Sequence, residues 1–207
     1  MRFCGQRITL VGKARLRFLR DAARTCLWED VKGCFVECGV WRGGSAGEVL
    51  RILNPVREAY LFDSFEGMPK ATEADVDFRG RSAAQLQNQG LPLAGDESDI
   101  TLCRKYLTSL GLDLGRVHII PGWFETTFPH CVNRIPHIAL LHVDCDWYES
   151  VKLTLTTWFP KVAAGGFVVI DDYGHWQGCK KAVDEYLPNA RLTKIDRTGV
   201  WLRKEAQ

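Results

Sequence analysis

Ala139-Leu-Leu-His-Val-Asp-Cys-Asp-Trp-Tyr-Glu-Ser150 and Gly165-Gly-Phe-Val-Val-Ile-Asp-Asp-Tyr173 decide how the chain reads. The apolar runs Ile138–Val143 and Phe167–Ile170 have strand length and β-branched content. Each ends abruptly in acid, Asp144 and Asp146 after the first, Asp171 and Asp172 after the second. Between them, Val151 to Phe159 predicts a crossover helix, closed by Lys161 and the pair Gly165-Gly166. Such a β-α-β unit makes its two strands parallel and neighbours or near-neighbours. Their carboxyl ends then share the sheet edge at which open α/β sheets bind ligands. Four carboxylates on one rim repel each other unless a cation lies among them. Oxygen ligands at a crevice suit a hard divalent ion, Mg2+ first. Solvated strand-end acids are the plainer reading, but two acidic pairs at the ends of two adjacent buried strands form a more specific arrangement.

The rest of the composition is ordinary. With 207 residues, one domain spanning 1–207 is expected. A net charge of +2 with no dense basic run gives no argument for nucleic acid. No stretch reaches the apolar length of a membrane span, and the apolar block near the start is too short for a secretory signal. The eight cysteines lack the tight C-x2-C spacing of a zinc site. Cys34, Cys38 and Cys145 fall in or beside buried strands, so the set reads as reduced core residues of a cytoplasmic protein.

Outward from the central unit, the alternation continues. Residues 8–30 carry Leu10, Ala14, Phe18, Ala22 and Cys26 at helical spacing, with arginines expected to face solvent or a partner. Cys34–Gly39 predicts a buried strand entering a glycine turn, Ser45–Leu53 a helix stopped by Asn54-Pro55, and Ala59–Phe62 a strand ending at Asp63. From 66 to 98 the periodicity fails, which predicts a lid or binding loop, or else a disordered insertion. Then follow a helix over Ile100–Leu110, a strand over Arg116–Ile120, and a turn at Pro121-Gly122-Trp123-Phe124. After the central unit come a helix over Cys179–Leu187 and strands over Arg191–Ile195 and Val200–Arg203. A short glycine turn joins these last two strands and makes them antiparallel. The 8–30 helix and the 66–98 segment are both expected to form a lid or a contact in a homo-oligomer.

Two further motifs sharpen the chemistry. Glu37-Cys38-Gly39-Val40-Trp41-Arg42-Gly43-Gly44-Ser45 lets backbone approach a ligand at a helix N-terminus. Its glycines do not follow G-x-G-x-x-G, which counts against a dinucleotide. Asp63 stands where an acid chelates ribose hydroxyls in nucleotide-binding sheets. A nucleoside with an amino-acid-like end fits both, and S-adenosylmethionine is such a molecule. Trp123 or Phe124 would stack on its adenine.

The chain resembles the macrocin O-methyltransferase (TylF-like) family of class I S-adenosylmethionine-dependent methyltransferases. The resemblance is carried by residues 37–44, 62–69, 121–129, 144–150, 165–173 and 195–200, in the family's order. It implies a Rossmann-like α/β fold: a seven-stranded, mostly parallel sheet with an antiparallel C-terminal strand and helices on both faces. It implies methyl transfer to a hydroxyl of a sugar-containing small molecule, with S-adenosylmethionine and Mg2+. On this basis Glu37, Gly39 and Asp63 would hold the cofactor, with Ser45, Ser64, Gly122, Trp123 and Asp144 completing the set. Asp144, Asp171 and Asp172 would hold the metal, with Asp144 ranked above Asp146. Cys145 and Trp147 depart from the family pattern, which has Gly and Leu there, so the acceptor site is expected to differ in shape.

A metal would lower the pKa of an acceptor hydroxyl, and a vicinal diol could chelate it. Asp171 or His175 would take the proton. Two other readings stay open at this level: a nucleotide-linked oxidoreductase, and a cofactor-binding module without catalysis.

Overall fold

The β-branched and aromatic runs become the strands of one sheet in the computed structural model, which describes residues 1–91, 93 and 97–205. A short hairpin, β1 (Arg2–Phe3) and β2 (Gln6–Arg7), precedes helix α1 (Lys13–Trp28). Next come β3 (Cys34–Cys38), α2 (Gly44–Leu53), β4 (Ala59–Asp63), α3 (Ala83–Asn88) and α4 (Ile100–Ser109). The second half runs β5 (Val117–Pro121), α5 (Phe124–Cys131), β6 (Ile138–Val143), α6 (Tyr148–Trp158), β7 (Val162–Ile170), α7 (Gln177–Tyr186), β8 (Thr193–Lys194) and β9 (Val200–Arg203).

The main sheet has the order β5-β4-β3-β6-β7-β9-β8. The first five strands are parallel, while β9 runs antiparallel to both β7 and β8. Strand order reverses between β3 and β6, so a crevice opens beyond their carboxyl ends, at Gly39 and Asp144. Alternation along each strand divides the core. Cys34, Val36 and Cys38 pack toward α5, α6 and α7, whereas Phe35 packs toward α1, α2 and α4. Glu37 shares Phe35's face and is the register partner of His142 on β6.

Several expectations are corrected. The first helix starts at Lys13 rather than residue 8, because residues 2–7 close a hairpin and Ile8 is buried. Gly165 and Gly166 do not end the crossover helix. They lie inside β7, and Pro160 ends the helical run in a single 3-10 turn. Gly165 has φ +78°, which accommodates a left-handed kink in the strand. The expected turn after Gly122 leads directly into α5, whose internal Pro129 disguised it as loop. The expected strand 191–195 shrinks to Thr193–Lys194.

Within 66–98, α3 and a pinned strap replace structureless chain; residues 92 and 94–96 lie outside the described residues. Asp75, fully buried, accepts hydrogen bonds from Thr72 N (2.7 Å) and Thr72 Oγ1 (2.8 Å), and from Tyr148 N (2.8 Å) at the start of α6. It serves as an N-terminal cap supplied from a distant segment, since Trp147 provides none. Asp77 bridges to Trp176, and Trp147 Nε1 donates to Pro69 O at 3.0 Å. This part of the segment is therefore a fixed wall of the crevice.

Candidate active site

The crevice holds a cavity of about 520 Å³. Of the sequence-predicted residues, Gly39, Ser45, Asp63, Ser64, Trp123, Asp144, Asp171, Asp172 and His175 line it; Glu37 and Gly122 do not. The glycine turn is shaped by close approach. Gly39 has φ +92°, and the Asp144 carbonyl occupies the space a Cβ would need. Trp41 also takes a left-handed conformation, φ +53°, just ahead of the α2 N-terminus.

Asp63 holds this turn in place. Its Oδ2 accepts from the backbone N–H of Val40 (2.8 Å) and Trp41 (2.7 Å). Its Oδ1 accepts from Phe65 N (2.7 Å) and Ser98 Oγ (2.9 Å). Both oxygens are thus fully used, and a ribose hydroxyl would have to take over Ser98's place. Gly122, with φ +129°, sits behind the wall and donates its N–H to the Asp63 carbonyl.

Glu37 is placed differently from the expectation. Strand alternation turns its side chain into the sheet, where it is wholly buried and Oε1 lies 2.8 Å from His142 Nδ1. Its Oε2 has no hydrogen-bond partner. His142 Nε2 lies 3.8 Å from Asp171 Oδ1, a charge contact rather than a hydrogen bond. Burial alone would push this imidazole down, but the carboxylates of Asp171 and Glu37 outweigh it and raise it to about 10.

The acids meet as the sequence implied. One oxygen from each of Asp144, Asp171 and Asp172 lies within 4.8 Å of the other two. Asp146, in a left-handed conformation (φ +56°), accepts from Trp176 Nε1 at 2.9 Å. Burial, followed by the charge of Asp171, raises Asp146 to about 7 and pushes Asp144 well above the usual carboxylate range. Asp172 is also pushed up, by burial and then Asp146. Such mutual repulsion is what a cation relieves, and Asp171 Oδ1 is buried without a hydrogen-bond partner. An all-carboxylate donor set of this kind fits a hard divalent ion.

Two cationic residues at this cluster were not anticipated. Arg15 of α1 donates to the Asp171 carboxylate and, at 2.9 Å, to its carbonyl, while its Nε lies 3.1 Å from Asp196. The expectation that the arginines of α1 face outward fails at this position, where the side chain is 12% exposed. His142 had a signal in the sequence, a lone polar side chain in an otherwise apolar run. His175 lines the cavity with its ring edge-on to Phe78 and Trp176, and burial pushes its imidazole down.

Comparison with known proteins identifies the class. The model of the macrocin-O-methyltransferase (TylF) family matches residues 4–204. Demethyldecarbamoylnovobiocin O-methyltransferase of Streptomyces niveus is 35% identical over 95% of this chain and 75% of its own length. Mycinamicin III 3''-O-methyltransferase of Micromonospora griseorubida is 31% identical over 96% of this chain and 79% of its own. The solved structure of the O-methyltransferase NovP superposes with TM-score 0.82 at 32% identity, covering 98% of this chain and 84% of that one. With sheet order, reversed C-terminal strand and acid-rimmed crevice in agreement, the chain belongs to the macrocin-O-methyltransferase (TylF) family and is an S-adenosylmethionine-dependent O-methyltransferase.

Proposed function

We propose that this enzyme methylates one hydroxyl of a vicinal diol on the sugar of a glycosylated small molecule, with Mg2+ held by Asp144, Asp171 and Asp172. The observation that carries this reading is the convergence of those three carboxylates, within 4.8 Å, at the cavity floor beside the glycine turn. The relatives' names agree with a glycosylated acceptor. Two name novobiocin and mycinamicin compounds, and a third, from Streptomyces olivaceus and 34% identical, names a rhamnosyl-tetracenomycin.

S-adenosylmethionine supplies an electrophilic methyl group, and a divalent ion supplies Lewis acidity that makes a hydroxyl more acidic. The protein's part is to bind, align and take the proton. Gly39, Ser45, Ser64 and Asp63 form the cofactor end, and Trp123 offers a face to adenine. Trp147, buried beneath Pro69, narrows the acceptor end. Asp171 already receives Arg15 on one oxygen, so proton acceptance is assigned to His175. Burial keeps that imidazole in its neutral, accepting form. No helix is long and apolar enough to cross a membrane, and eight free cysteines suit the reducing cytoplasm.

The test is calorimetry of S-adenosylmethionine and of Mg2+ on wild type and on an Asp171→Asn, Asp172→Asn double variant. Cofactor binding to both proteins, with Mg2+ binding only to wild type, is expected. Equal Mg2+ binding by both would remove the metal role of these acids.

A further inference from the structure

The two ends of the cavity carry opposite charge. Its floor holds Asp144, Asp146, Asp171 and Asp172, and its mouth is cationic. At the mouth, Phe78 is 42% exposed, and its ring lies 5.4 Å, centroid to centroid, from that of His175. The Arg197 guanidinium lies 4.7 Å from the Phe78 ring centroid, and that of Arg79 lies 5.1 Å from the same centroid. Arg197 and His175 line the cavity directly.

The other arginines around the crevice are neutralised. Arg15 is paired with Asp171 and Asp196, Arg42 with Glu97, and Arg81 with Asp77. Among the described residues, Arg79 and Arg197 form no ion pair with a carboxylate within 4.0 Å. An aromatic face orients a guanidinium and strips part of its water while leaving its fork of donors free. Two like charges on one ring repel, and an anion between them removes that repulsion. A phosphate oxyanion matches the guanidinium fork better than any neutral group does.

The acidic floor repels anions, so an acceptor reaching it must be uncharged at its reacting end. We propose that the acceptor is a phosphorylated sugar, its diol directed to the acid cluster and its phosphate or diphosphate held at the mouth by Arg79 and Arg197. This rests on the O-methyltransferase reading above and narrows its substrate class. A sugar 1-phosphate and a nucleoside-diphosphate sugar share this chemistry and differ in what lies beyond the phosphate.

The experiment has a binding arm and a turnover arm. In the first, inorganic pyrophosphate is titrated calorimetrically, in EDTA, into wild type and into an Arg79→Gln, Arg197→Gln double variant. In the second, KM is measured for a nucleoside-diphosphate hexose, the matching hexose 1-phosphate and the matching uncharged methyl hexoside. The expected result is pyrophosphate binding weakened at least about tenfold in the variant, as loss of charge-assisted hydrogen bonds predicts. The ratio of KM for the uncharged to the charged acceptor should also exceed about ten in wild type and collapse toward one in the variant. A nucleotide sugar preferred over the 1-phosphate would place a second phosphate at the mouth, whereas equal use would assign a single phosphate. Methyl transfer with equal KM for charged and uncharged sugars, and no pyrophosphate binding, would overturn the proposal and leave the transferase reading intact. Arginine-dependent pyrophosphate binding without transfer to any acceptor would instead overturn the transferase reading and leave an anion site.

Discussion

At the scale of single residues, the site is governed by how many negative charges share one buried floor. Asp146 is raised from 3.8 to about 7 by burial and by Asp171. A carboxyl whose folded-state pKa is raised stabilises the fold fully below its unfolded value, and that contribution is lost as pH rises through the folded value. Without divalent cation, wild type should therefore lose thermal stability relative to Asp146→Asn as pH climbs from about 4 to about 7. His142, raised to about 10, adds a loss of the same sign at higher pH. Mg2+ should restore wild type at the upper end; a Tm difference flat across this window would contradict the charge-crowded floor. Arg15 offsets part of the crowding through Asp171. Arg15→Met should tighten Mg2+ binding by on the order of tenfold, because a neighbouring positive charge is removed. A weaker affinity, read by calorimetry, would show instead that Arg15 chiefly orients Asp171. The acids themselves were legible because they terminate apolar runs. Their cationic partners were not, because Arg15 looks like any helix arginine until the chain brings α1 over β7. Glu37 was misplaced because its motif suggested a ligand, whereas strand alternation decides where its side chain points.

At the scale of elements, helices and strands with clean periodicity were readable, and those whose ends are set by tertiary contacts were not. Strand β3 was legible in full, since five buried residues end at a glycine turn. The helix α5 was hidden by Pro129, and β7 by two glycines that read as a stop. The 66–98 segment is the clearest case. Its sequence lacks a period because side-chain hydrogen bonds, rather than an apolar stripe, fix it. Asp75 ties it to α6 through Tyr148 N and to Thr72. Asp75→Ala should remove this remote cap and leave Tyr148 N unsatisfied, at a cost of about 1–3 kcal/mol. Its expected signature is a lower Tm, with protease cleavage first between residues 69 and 83. A variant as stable and as resistant as wild type would mean that the strap is held by other contacts.

At the scale of the whole molecule, the order of strands follows from where parallel crossovers must return, and that much the alternating pattern implied. The consequence is a reversal between β3 and β6 that brings Gly39, Asp63, Asp144 and Asp171 from four strands to one edge. The same sheet buries most of the thiols on its two faces. Cys34, Cys38, Cys131, Cys145 and Cys179 lie on the α5–α7 side, and Cys26 and Cys103 on the α1–α4 side. Cys4, in the N-terminal hairpin turn, is the exposed one, which corrects the reading of all eight as core residues. Burial pushes the Cys26 thiol up to about 11 and those of Cys34 and Cys103 up to about 12, so these are inert as well as enclosed. A disulfide-forming reagent at neutral pH should therefore modify one thiol rapidly in the native protein and all eight in denaturant, matching one exposed and seven buried cysteines. Cys4→Ser should abolish the fast phase without changing the denatured count by more than that one thiol. A second fast thiol in the native protein would show that one face of the sheet opens in solution, and mass mapping of the labelled cysteine would identify which.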